Sequence, residues 1–196
     1  MAAAVHSEPL LPEPGTPADG ILTKATQFVQ ATGATHASLR QLAAAFGTSH
    51  RMLQYHFGTR EKLLGAVMLR LRKNDLAELS ASATSRADFL GRAWELYLTP
   101  GHQFQSRLFF SLAGAAMEDL EAHSAFLGTV VTGWTPTLAA LGRAEGLSDH
   151  DAQSEAWLLV AAFRGLLLDM FLTGDQAAAR QAFEALLRMV APSVAS

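Results

Sequence analysis
His50, Arg51, Gln54 and Tyr55 stand together on one face of a short helical stretch and are suited to reaching out rather than packing. Their guanidinium, amide, phenol and imidazole groups offer directed hydrogen bonds, which is the chemistry of recognition. Bond-making chemistry lacks its usual spacings. No His-x-x-Glu-His, Gly-x-Ser-x-Gly or P-loop pattern occurs, and the seven histidines show no zinc-site spacing. His102 and Ser106 form an i,i+4 pair of a kind that helices produce by chance. The chain has 0 cysteines, which excludes disulfides, zinc-thiolate sites and thiol chemistry. The expectation is a protein that is not an enzyme and that needs no metal or cofactor.

The elements that must hold those side chains run from Ser38 to Leu64. Ser38 can cap a first helix, with Gln41 completing a capping box. Leu39, Leu42, Ala43 and Phe46 supply its apolar face, and Gly47 ends it. Thr48 and Ser49 open a second helix in which Met52, Leu53 and Phe57 are expected to point inward. Gly58-Thr59 ends that helix, and Thr59 can cap a long one starting at Arg60. Two short helices about a turn, the second with a polar outer face, are what places a recognition helix in a DNA major groove.

On that frame Thr48, Ser49, His50 and Arg51 are the candidates to enter the groove, where the Arg51 fork can take O6 and N7 of guanine, an ordinary surface arginine being its other reading. Gln54 can read adenine or touch backbone. Tyr55 and His56 reach phosphate, unless His56 closes the helix end instead. Ser38 and Arg40 either meet phosphate or serve as a cap and a solvated charge. Arg60 and Lys62 open the long helix, a poor place for cations on dipole grounds that DNA contact would offset.

From Ile21 to Leu69 the chain resembles the DNA-binding end of the TetR family of bacterial transcriptional regulators. Gly47, Ser49, His56, Phe57 and Arg60 match that family's turn, recognition helix, His-Phe pair and following basic residue. Arg51 stands where a Gly is common, Gln54 where a Tyr often touches backbone, and Phe46 replaces a small residue. The first two change the reading surface. The resemblance implies that Arg60 binds DNA backbone, that the last two helices dimerise as a four-helix bundle, and that a ligand in the body shifts the heads. It implies a repressor released from a palindromic operator by a small apolar or amphipathic effector. Activation, or control without a ligand, stays open.

Charge is divided along the chain. Residues 1–20 carry three acids and no Lys or Arg, residues 21–75 eight Lys or Arg against two acids, and residues 76–196 seven against thirteen. A basic head on an acidic body would bind duplex DNA with one end only. Hydrophobic residues make up 49%, which argues against disorder. No uninterrupted apolar run reaches the ~18 residues of a membrane helix, and the start lacks a secretory pattern, so a cytoplasmic protein is expected.

The expected fold class is all-α, with a three-helix head and a helical ligand-binding and dimerisation body. Residues 1–18, with four of the seven prolines, read as a flexible arm. Residues 19–66 form the head and 67–196 the body. Asp19 is expected to cap a helix over 20–30 with Ile21, Leu22, Ala25, Phe28 and Val29 inward. Further helices are expected over 60–80, 86–98, 103–117, 122–144, 152–172 and 176–190, the 122–144 element kinked or divided near Trp134 by Pro136 and a loop running from Gly142 to Ser148. Arg70, Arg72 and Lys73 either approach phosphate or form a solvated face.

The body is rich in aromatic residues. Trp94, Phe104, Phe109, Phe126, Trp134, Trp157 and Phe163 are candidates to line an effector site or to serve as core, with Gly114, Gly128, Gly133 and Gly165 leaving room. His102, Gln103, Arg107, His123, Arg164 and Asp169 are candidate polar groups there, an ion pair being the other role for the last two. Trp157, Leu168, Phe171, Phe183 and Leu187 are candidates for the dimer face, because the last two helices are apolar over more than one side. Two tethered heads read two half-sites together, so the expected partners are double-stranded DNA, a second copy and an effector. A helical interaction module without specific DNA binding is the rival reading.

Overall fold
The computed structural model describes residues 11–32, 37–120, 126–127 and 133–190. The helices among them are α1 (Pro17–Thr32), α2 (Leu39–Phe46), α3 (His50–Phe57), α4 (Arg60–Ser82), α5 (Arg86–Leu98), α6 (Pro100–Glu118), α7 (Thr135–Ala144), α8 (Asp149–Thr173) and α9 (Gln176–Val190). The fold is all-α. Parts of the expected arm (residues 1–10) and of the 122–144 element, with His123 and Gly128, lie outside the described residues.

The chain gathers into two compact units that do not follow its linear order. One holds residues 1–74 and 103–131, the other 75–102 and 132–196. In the first, α1, α2, α3, the start of α4 and most of α6 share a core. Leu22, Leu53, Leu63, Val67 and Met68 are 0% exposed within it, with Leu108, Leu112 and Phe126 contributed from α6 and beyond. The apolar positions expected on α1 and α2 point into this core. α1 begins earlier than expected because Pro17 is tolerated in a first turn, where its missing N–H costs nothing. Thr16, not Asp19, does the capping: its hydroxyl accepts the Asp19 N–H at 3.2 Å.

The Asp19 carboxylate instead accepts the Gly15 N–H at 3.0 Å and pairs with Arg70 of α4, which also donates to the Thr23 hydroxyl at 2.9 Å. Arg70 is therefore a clasp between α1 and α4. The Gly15 N–H, with the Arg70 guanidinium second, holds Asp19 below the usual carboxylate range. Arg72 lies over the Phe109 ring, 5.0 Å from its centroid. Of the three cations on this stretch, Lys73 keeps an exposed position.

The second unit is built on aromatic contact. Trp94 of α5 stacks on Phe183 of α9 with centroids 4.3 Å apart, and meets Phe163 of α8 edge-on at 5.9 Å. Trp134, just before α7, packs against Phe89, Tyr97 and Phe163 at 5.3, 5.6 and 5.1 Å. Tyr97 donates its hydroxyl hydrogen to buried Asp75 at 2.9 Å, and His102 closes on the other carboxylate oxygen at 3.3 Å. Arg86, only 6% exposed, is satisfied by Glu145 at 2.6 Å and by Glu155. Gly142 is buried inside α7, where a Cβ would lie 3.2 Å from Leu147 Cδ1. The loop expected from Gly142 therefore starts only after Ala144. Pro136 sits in the first turn of α7 and opens that helix rather than kinking it. Pro100 likewise opens α6, three residues before the expected start.

α8 holds the longest apolar stretch of the chain, interrupted by Arg164 and Asp169. By length and composition it is apolar enough to cross a membrane, although it contains Arg164 and Asp169. One side supplies the core residues Ala156, Leu159, Val160, Phe163, Leu167 and Met170, and the other exposes Trp157, Leu158, Leu168 and Leu172. Apolar residues on both sides give α8 a higher apolar fraction than a helix that buries a single stripe.

Candidate nucleic-acid interface
Local bonding fixes the α2–α3 pair before any packing is considered. The Ser38 hydroxyl accepts the Gln41 N–H at 3.3 Å, and the Gln41 side chain accepts the Ser38 N–H at 2.8 Å, a complete capping box. Gly47 ends α2 with φ +67°, a left-handed conformation that a side chain resists. The next N–H, of Thr48, returns to Ala43 O at 2.9 Å, so the chain reverses within two residues. Ser49 then caps α3 by accepting the Met52 N–H at 3.1 Å. Gly58, at φ +72°, stops α3, and Thr59 caps α4 by accepting the Lys62 N–H at 3.1 Å.

α3 buries Leu53 and Phe57. Arg51, Gln54 and Tyr55 are exposed, Tyr55 at 80%, while Thr48, His50 and His56 are half-buried. Ser38, Arg40, Ser49 and Lys62 are exposed around this face, the two serines with their hydroxyls engaged as caps. Arg60 is committed within the fold: its Nε donates to Ala37 O at 2.9 Å and a terminal nitrogen pairs with Glu61 at 3.2 Å. That bond ties the start of α4 to the residue before the capping box. His56 lies between Tyr55 and Phe57, with centroids 5.0 and 6.4 Å away, and its Nε2 is buried without a partner among the described residues. Met52 differs from expectation. It is 40% exposed and belongs to the outer side of α3, because Leu53 and Phe57 already complete the inner side.

The candidate effector residues fall in both units. Phe104, Phe109 and Phe126 belong to the first; Trp94, Trp134 and Phe163 belong to the aromatic core of the second. Trp157 is 58% exposed on the outside of α8. Phe183 is corrected too. At 3% exposure and stacked on Trp94, it is core and not dimer surface. Leu168 stays exposed, while Phe171 and Leu187 are half-buried. Sequence reading missed the Asp75–Tyr97–His102 and Arg86–Glu145–Glu155 groups. Their partners lie 22 to 69 residues apart, beyond the reach of local pattern.

Neither family models nor curated protein sequences match the chain. Solved structures do. A protein from Rhodococcus sp. designated a TetR-family transcriptional regulator superposes with a TM-score of 0.65 at 23% identity, covering 88% of this chain and 97% of its own. The fold is that of the TetR-family regulators. The multidrug binding protein EbrR, solved with proflavin, shares this TetR fold at TM-score 0.61 and 23% identity over 87% of this chain and 98% of its own. A transcriptional regulator from Saccharomonospora viridis, solved with choline, does so at 0.63 and 22% over 90% and 96%. Among the described residues no group of three His, Asp or Glu is placed to hold a metal ion.

Proposed function
We propose that this TetR-fold chain is a sequence-specific DNA-binding transcriptional regulator, a repressor released from a palindromic operator by a small apolar or amphipathic effector. The observation that carries the reading is α3. It is a capped two-turn helix set by the Gly47 reversal, with Arg51, Gln54 and Tyr55 outward on a stretch that holds eight Lys or Arg against two acids. Arg51 and Gln54 read bases, and Arg40, Lys62 and Tyr55 position the head on phosphate. Arg60 acts mainly by holding α4 to the approach of α2. Residues 19–66 are the DNA-reading part, and the helices that follow carry effector binding and dimerisation.

A second copy docks on the outer side of α8 and on α9, through Trp157, Leu158, Leu168, Leu172 and Leu187. The apolar character of that side supports this pairing. The effector is a flat or compact amphipathic molecule received among the aromatic residues of the later helices. Ligand-bound structures of like fold, one with proflavin and one with choline, support an effector of that size. Such a chain works in the cytoplasm, beside its DNA. The test is selection of bound sequences from random duplex DNA by the purified protein. Enrichment of a palindrome supports a dimeric reader. A pool bound no better than random duplex, with and without candidate amphipathic ligands, points instead to a helical interaction module.

A further inference from the structure
We propose that Met52 reads the C5-methyl group of a thymine at one position in each operator half-site. The proposal rests on the DNA-binding reading above and adds a chemical specificity to it. Met52 is the third residue of α3, and its N–H is held by the Ser49 hydroxyl at 3.1 Å, so its backbone is fixed in the leading turn. Residues of that turn are the ones that approach base edges when such a helix enters the major groove.

Met52 stands outside the buried core of the first unit. Leu53 at 0% and Phe57 at 8% exposure fill the inner side of α3, while Met52 stands 40% exposed beside Arg51 and one turn from Tyr55. Among the described residues of the first unit, the large exposed hydrophobics are Met52 and Tyr55, both on α3, and Met117 and Leu120, at and just beyond the end of α6. A methionine gains nothing from phosphate, unlike the basic residues around it. Of the groups presented in the major groove, the thymine methyl is the apolar one. A flexible, polarizable thioether can follow it without exact geometry. The excess of Lys and Arg on residues 21–75 supplies the attraction that brings the duplex to this face.

The test uses the full chain and its selected duplex, with each thymine replaced in turn by uracil, which removes the methyl and leaves the hydrogen-bonding edge intact. Affinities are measured for the wild type and for Met52→Ala, Met52→Gln and Met52→Leu. Affinity for random duplex at low salt serves as the control that each variant is folded. The expected result is one thymine per half-site at which the wild type and Met52→Leu lose about fourfold per methyl removed. Met52→Ala and Met52→Gln lose nothing there. The proposal is overturned if all four proteins respond alike to every replacement, or if the selected site holds no fixed thymine. A protein that selects no site removes the DNA-binding reading itself, a different result from a selected site indifferent to uracil.

Discussion
Arg51 and Lys62 are both exposed cations near the α3 face, yet they should fail differently when removed. The planar Arg51 fork matches two acceptors on guanine, so Arg51→Ala should relax preference at one base pair by about 1–3 kcal/mol. Lys62 is a point charge beside the cap of α4. Its removal should weaken all duplexes evenly and lower the salt slope by about 1. Competition assays with single-base variants of the selected site separate the two, and equal effects on all sequences from both variants would contradict the assignment. Asp19 gives a prediction of another kind. Its folded pKa lies below the ordinary value because Gly15 N–H, and after it Arg70, favour the ionised form. The stabilisation is therefore present above the ordinary carboxylate range and is lost as pH falls through the lowered folded value. Asp19→Asn should lower the melting temperature at pH 7 and converge with the wild type in strong acid. A constant difference across the titration would show that the clasp does not depend on charge.

Where bonding was local, elements were legible in the sequence. Ser38 with Gln41, Gly47, Ser49, Gly58 and Thr59 punctuate α2, α3 and α4, and each does so through partners within five residues. The long-range assignments were not legible. The sequence does not show that Phe183 stacks on Trp94 while Trp157 faces out, since both are aromatic residues on apolar helices. Nor does period alone place Met52, which neighbours the buried Leu53 and sits on the edge of the inner stripe. Gly47→Ala meets no atom within 4 Å, so its cost is the left-handed backbone alone, about 1–2 kcal/mol in urea unfolding. Arg86→Met leaves Glu145 facing a low-dielectric interior and should cost about 3 kcal/mol, the lower end for a broken buried pair because Glu155 is 45% exposed. Removing Glu145 as well, as Arg86→Met with Glu145→Gln, should recover part of that loss.

For the whole molecule, the proposed function couples reading to pairing. One eight-residue helix offers few base contacts, so a sequence-specific reader of this fold would draw its selectivity from two copies held at a fixed spacing. Trp157→Glu places a charge on the outer side of α8 and should shift the protein toward monomer in sedimentation. It should lower operator affinity far more than affinity for random duplex. A monomeric variant that binds the operator as tightly as the wild type would separate recognition from pairing. The most direct measurement compares the selected duplex with a scrambled one over a range of salt concentrations. The prediction is a steep linear fall of log affinity with log salt for both, as counterions are released, with the selected duplex bound at least ~10³-fold tighter at physiological salt. Equal affinities for the two duplexes at every salt concentration would contradict a sequence-specific regulator.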